Sequence, residues 1–106
     1  MELGLRGKVA FVAGASKGIG KACAMGLAEE GARVAVCART KADLAAAAAE
    51  IRQKTNAELL AVSADLTKLE EIQRAVRTAA EAFGGIDVLV NNVGGPAPGR
   101  FDQVSD

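Results

Sequence analysis

Residues Lys8 to Gly20 read KVAFVAGASKGIG, and the order of their chemistry decides the fold. Lys8 to Ala13 is a short run, apolar after its first residue and without polar alternation, as a strand buried on both faces of a parallel sheet requires. Gly14 breaks it. A helical pattern then runs from about Gly18 to Glu30, with Ile19, Cys23, Gly26 and Leu27 at spacings of three and four along one side, and Gly31 ends it. Strand, glycines and helix in that order gather free backbone N–H groups and the positive end of a helix dipole at one spot, which attracts phosphate. Gly14, Gly18 and Gly20 are spaced for a tight turn, a close approach to pyrophosphate and a close helix–strand contact. A lone glycine triplet would serve an ordinary βα turn equally well, so the weight falls on what accompanies it.

Outward from this segment, apolar runs continue to alternate with helical patterns, the signature of a parallel α/β sheet. Arg33 to Ala38 is the second strand. Thr40 and Asp43 have the spacing of a capping box, which opens an alanine-rich helix with Leu44, Ala47, Ala48 and Ile51 facing inward. Leu59 to Ser63 is the third strand. Thr67 and Glu70 repeat the capping spacing before a helix with Leu69, Ile72, Val76, Ala79 and Phe83 on one side, stopped at Gly84 and Gly85. Ile86 to Asn91 is the fourth strand, followed by the loop VGGPAPGR, and Ser105 is placed to cap a further helix.

Composition narrows the function. The 106 residues are 50% hydrophobic and 25% charged, which suits one folded domain. Lys plus Arg and Asp plus Glu stand at 13 each, so no global field marks the chain for nucleic acid or an anionic membrane surface. No apolar run approaches the roughly 18 residues of a membrane span and no signal peptide is evident, which reads as cytoplasmic. Cys23 and Cys37 lie in periodic apolar segments rather than at metal-ligand spacing, and are expected to be buried free thiols with no metal site. The chain has no His and no Tyr, which removes a histidine base and a tyrosine acid from it.

The loop spacing is G-x-x-x-G-x-G, without the Gly-Lys-Ser/Thr ending of an NTPase phosphate loop. AGASKGIG, followed by Ala64-Asp65-Leu66 and by Asn91-Asn92-Val93-Gly94, resembles the amino-terminal half of the classical short-chain dehydrogenases/reductases over nearly the whole chain. The motifs fall in the family's order, each at the carboxyl end of an expected strand, where open α/β sheets bind ligands. The resemblance implies a Rossmann-type, doubly wound parallel sheet with strand order 3-2-1-4. Crossover handedness then puts two helices on one face and one on the other. It implies that Gly14, Ser16, Lys17, Gly18, Ile19 and Gly20 meet the cofactor pyrophosphate. It places Asp65 at the adenine amino group with Leu66 beside the ring, and Asn92 and Gly94 at the adenosine ribose, with Asn91 shaping the sheet centre.

Cofactor choice follows from charge. A site selecting NAD usually carries an acid at the end of the second strand, but Ala38 stands there, no acid follows before Asp43, and Arg39 comes next instead. Arg39 and Lys17 resemble the pair with which members of the family hold a 2′-phosphate, so NADP is expected over NAD. Two departures stand out. Ala13 replaces the family's usual Thr and Val93 its usual Ala, which suggests paired repacking of a smaller and a larger residue. The family's catalytic Asn, Ser and Tyr-x-x-x-Lys lie beyond the fourth strand, so no catalytic residue is assigned here.

Residues 1–106 are therefore expected to be the NADP-binding half of a single-domain dehydrogenase/reductase whose active site lies elsewhere. The parent would be an oxidoreductase moving hydride to or from a small-molecule carbonyl or alcohol substrate, and a homo-oligomer at full length. The competing reading is a noncatalytic nucleotide-binding or assembly module that ends naturally near Asp106. A methyltransferase-like domain fits the Asn-Asn-x-Gly motif and the Lys17 and Arg39 pair less well.

Overall fold

The computed structural model describes residues 4–91. The elements are β1 (Val9–Ala13), α1 (Gly18–Glu29), β2 (Arg33–Ala38), α2 (Lys41–Thr55), β3 (Leu59–Ser63), α3 (Leu69–Phe83) and β4 (Val88–Asn91). The strands form one sheet in the order β3-β2-β1-β4, every neighbouring pair parallel, as expected. β1 pairs Ala13 with Cys37 on one side and with Asn91 on the other. That register brings the ends of β1, β2 and β4 level.

Side chains alternate across a strand, so β1 and β2 feed two cores. Val12, Val34 and Val36 meet Ala24 and Ala28 of α1 and Leu44, Ala48 and Ile51 of α2. Phe11, Ala13, Ala35 and Cys37 meet Ala75 and Ala79 of α3 on the opposite face. Two helices therefore cover one face and one covers the other, as crossover handedness requires. The inward face of α2 is the one its periodicity gave: Leu44, Ala47, Ala48 and Ile51 are buried.

Several local expectations need correction. The buried stripe of α1 is Gly20, Ala24 and Ala28, while Ile19 is 72% exposed and Cys23, Gly26 and Leu27 are half-buried. Small residues at fourfold spacing let the helix axis lie close to the sheet, and close approach outweighs the bulk of Ile19. Cys23 is accordingly not a buried thiol, whereas Cys37 is. In α3 the stripe is Ala75 and Ala79 flanked by Val76 and Phe83. Leu69, expected inward, is 66% exposed, because it stands in the first turn before the stretch that meets the sheet. Neither capping box forms: Thr40 is the N-cap of α2 without a side-chain bond, and the N-cap of α3 is Lys68. The Thr67 hydroxyl donates to Asp65 Oδ1 at 2.6 Å instead.

β4 begins at Val88, two residues later than its hydrophobicity suggests, because Asp87 continues the ladder with its side chain. Its N–H donates to the Val9 carbonyl at 2.8 Å while its Oδ2 accepts from the Val9 N–H at 2.9 Å. The rest of the sheet's amino end is closed in a similar way. Gly7 N–H donates to the Gly31 carbonyl at 3.0 Å and Arg33 N–H to the Lys8 carbonyl at 2.8 Å.

Candidate functional site

At the carboxyl end of the sheet the hydrogen bonding stops short of closure. Gly14, at φ +75°, turns the chain out of β1, and its N–H and that of Ala15 donate to the Cys37 carbonyl at 2.8 and 3.2 Å. These bonds pin the loop across β2. They also make Gly14 the glycine of the tight turn.

Lys17, extended at φ −147° and ψ 163°, is the N-cap of α1 and contributes no side-chain cap bond. The first helical bond is Lys21 N–H to the Lys17 carbonyl at 3.3 Å, so the N–H groups of Gly18, Ile19 and Gly20 precede any intrahelical acceptor. Gly18 holds φ +57°, and among the described residues a Cβ there would meet nothing within 4 Å beyond its own chain neighbours and helix backbone. Left-handed backbone, open space and outward donors fit an anion such as pyrophosphate. Ile19 is exposed at the same turn rather than packed in the core.

Two cations flank this cradle. Arg39 follows β2 directly and is exposed, while Ala38 before it is buried. The Lys17 ammonium lies 3.6 Å from the Asp43 carboxylate, with the two side chains 77% and 42% exposed. Asp43 is the residue that sequence reasoning placed only as a helix cap. Twenty-six positions separate it from Lys17, so no local pattern signals the contact, and the register of β1 on β2 produces it.

Asp65 sits after β3. Its Oδ1 accepts from the Thr67 hydroxyl at 2.6 Å and from the Thr67 N–H at 3.0 Å, which makes it the acid of an Asx turn, and its own N–H donates to Glu71 Oε1 at 3.3 Å. The Thr67 hydroxyl and N–H hold its carboxyl below the usual range, and the charges of Arg39 and Lys68 act in the same sense. Among the described residues its Oδ2 accepts no hydrogen bond and remains open to a ligand donor. Leu66 is half-buried against the α3-side core, so its packing is partly structural. Asn91 ends β4, exposed and beside Ala13. Asn92 and Gly94 lie outside the described residues, as does the Val93 half of the expected repacking with Ala13.

The Cys37 side chain is buried in the core between the sheet and α3, while its carbonyl anchors the loop. Burial pushes its thiol up to about 11 from an ordinary 9.0, with Arg74 opposing and Glu71 assisting, so it is neutral and not a nucleophile. Among the described residues no group of His, Cys, Asp and Glu is arranged to hold a metal ion, and no helix is long and apolar enough to cross a membrane.

The family model described as short chain dehydrogenase matches residues 8–106. The 3-oxoacyl-[acyl-carrier-protein] reductase FabG of Staphylococcus epidermidis is 41% identical over 87 residues, 82% of this chain and 36% of that protein. The L-sorbose reductase of Gluconobacter frateurii, solved in complex with NADPH and L-sorbose, superposes with a TM-score of 0.86 at 37% identity, over 100% of this chain and 40% of that one. An NAD+-bound xylitol dehydrogenase superposes with a TM-score of 0.81 at 36% identity, over 86% of this chain and 35% of that one. The chain thus spans 35 to 40% of the length of these relatives. A match across nearly the whole chain, with the sheet order and the glycine turn at its centre, makes this chain a member of the short chain dehydrogenase family.

Proposed function

We propose that this chain is the cofactor-binding half of an NADP(H)-dependent oxidoreductase acting on a small carbonyl or alcohol substrate. When bound, the dinucleotide supplies or accepts hydride at its nicotinamide. The chain's own residues bind and orient it. The N–H groups of Gly18, Ile19 and Gly20, with Ser16 and Gly14 shaping the turn, receive the pyrophosphate. Asp65 Oδ2 and Leu66 bracket the adenine, and Asn92 and Gly94 are assigned to the ribose. Proton transfer is not assigned here, because the chain has neither Tyr nor His.

One observation carries the choice of cofactor: Arg39 is exposed at the end of β2, immediately after the buried Ala38, where an acid would serve NAD. A guanidinium pairs with a 2′-phosphate bidentately, and Lys17 adds a second cation from the neighbouring strand end. Relatives of both kinds exist, the sorbose reductase with NADPH and the xylitol dehydrogenase with NAD+, so the proposal of NADP(H) rests on these local charges.

The test is calorimetric titration of the chain with NADPH and NADH. NADPH is expected to bind about tenfold or more tightly, the size of one charge-assisted hydrogen bond. Ala38→Asp combined with Arg39→Leu should reverse the order. Equal affinities in the native protein would refute the NADP assignment, and binding of neither would remove the nucleotide site.

A further inference from the structure

Asp43 stands in the first turn of α2, and its carboxylate reaches across to the Lys17 ammonium at 3.6 Å. Lys17 is the N-cap of α1, beside the open donors of the glycine turn. Among the described residues Lys17 pairs with this acid while Arg39 makes no ion pair. One of the two cations on the adenosine side of the site therefore already has an anionic partner before any ligand arrives.

Resting on the NADP reading above, we infer that Asp43 is a specificity-determining residue whose carboxylate competes with the 2′-phosphate for Lys17 and so moderates the preference for NADP(H) over NAD(H). The 2′-phosphate is an anion offered to the same ammonium. Binding must either draw Lys17 away from Asp43 or place the phosphate near a like charge, and each route disfavours NADPH. NADH carries hydroxyl there, so any contact of Lys17 with the pyrophosphate is common to both cofactors and the competition for the 2′-phosphate falls on NADPH alone. Arg39, which makes no ion pair among the described residues, keeps the net preference toward NADPH. Both members of the pair are exposed, so water and salt screen the contact and its influence is graded rather than absolute.

Asp43→Asn keeps the size of the side chain and removes the charge. Dissociation constants for NADPH, NADH and 2′-phosphoadenosine would be measured by calorimetry in native protein, Asp43→Asn, Lys17→Met and the double variant, with helix content checked by circular dichroism. Asp43→Asn is expected to tighten NADPH and 2′-phosphoadenosine by about two- to fivefold, the range of an exposed ion pair, and to change NADH by less than NADPH. In the Lys17→Met background that gain should vanish, because nothing remains to compete for. Weaker NADPH binding by Asp43→Asn would overturn the inference by showing that Asp43 positions Lys17 for the phosphate. So would an equal change for NADH, or a full gain without Lys17. A native protein that shows no preference for NADPH would bring down the NADP reading itself, which separates the two failures.

Discussion

Two arginines bracket β2, and they are used differently. Arg33 opens the strand with its Nη2 donating to the Gly7 carbonyl at 3.3 Å, its Nε 4.0 Å from Glu58 and its guanidinium 5.5 Å above the centre of the Phe83 ring. Arg39 follows the strand exposed, with no ion pair among the described residues. The contrast extends to the whole sheet. At the amino end, N–H groups of β1 and β2 and the Arg33 charge are tied into the fold, while at the carboxyl end the first turn of α1 has N–H groups without a helical acceptor and Arg39 makes no ion pair among the described residues. Stability and ligand binding are thus assigned to opposite ends of the same strands, and substitutions should sort accordingly.

The largest separation is expected from two glycines. Gly18→Val introduces a branched side chain at φ +57° into the open space before α1, displacing the turn from a phosphate and blocking its donors. Losing two charge-assisted bonds weakens NADPH by about a hundredfold or more. Gly31→Val is equally strained at φ +96°, but its Cβ would lie 3.2 Å from Arg6 Cα at the amino end. There the loss should be in stability, about 1 to 3 kcal/mol, with unaltered affinity in the molecules that remain folded. Calorimetry beside urea unfolding distinguishes the two, and a Gly31→Val protein that binds NADPH as poorly as Gly18→Val would erase the division between the ends.

Asp87 offers a middle-sized effect. Its carboxylate is the acceptor for the Val9 N–H at 2.9 Å, so Asp87→Ala leaves a donor of the central strand unpaired. The expected cost is about 1 to 3 kcal/mol in urea unfolding, with Asp87→Asn restoring much of it because the amide oxygen still accepts. The preference for NADPH over NADH should stay where it was. A shift in that ratio would mean that the amino end of β4 communicates with the site.

Much of this division was legible in the sequence. The apolar runs at Val9 and Arg33, the glycines at 14 and 18 and the Ala-rich stripe of α2 each carry a local physical signal, and the strand order came with the resemblance. What was not legible is what needs two distant segments at once. Asp87 reads as a polar interruption of a strand until Val9 lies beside it, and Asp43 reads as a cap until the register of β1 on β2 brings Lys17 near. Side-chain bulk misled as well. Ile19 was read on the inner side of α1, but a close helix–sheet contact selects Gly20, Ala24 and Ala28. At Asp65 two readings coexist, since Oδ1 serves the turn through Thr67 while Oδ2 accepts no hydrogen bond among the described residues.

The smallest effect, and the most direct test of the two-ended arrangement, is the same conservative change at each arginine. Lysine keeps the charge and loses the planar fork, so the substitution reports geometry rather than electrostatics. At Arg33 the fork lies over Phe83 and reaches Gly7 and Glu58 together, which an ammonium on a flexible stem cannot do. Arg33→Lys should therefore cost about 0.5 to 1 kcal/mol of stability, the worth of an exposed cation–π contact, and leave both cofactor affinities unchanged. Among the described residues the Arg39 guanidinium makes no ion pair and no hydrogen bond, so Arg39→Lys should leave the melting temperature alone. Its loss appears with NADPH, where a bidentate contact to the 2′-phosphate becomes a single one, weakening binding by roughly threefold to tenfold while NADH is unaffected. Differential scanning calorimetry and NADPH titration of both variants give four readings, of which only the stability of Arg33→Lys and the NADPH affinity of Arg39→Lys should move. Movement of the other pair would show that Arg39 belongs to the scaffold and Arg33 to the ligand, the reverse of the arrangement described.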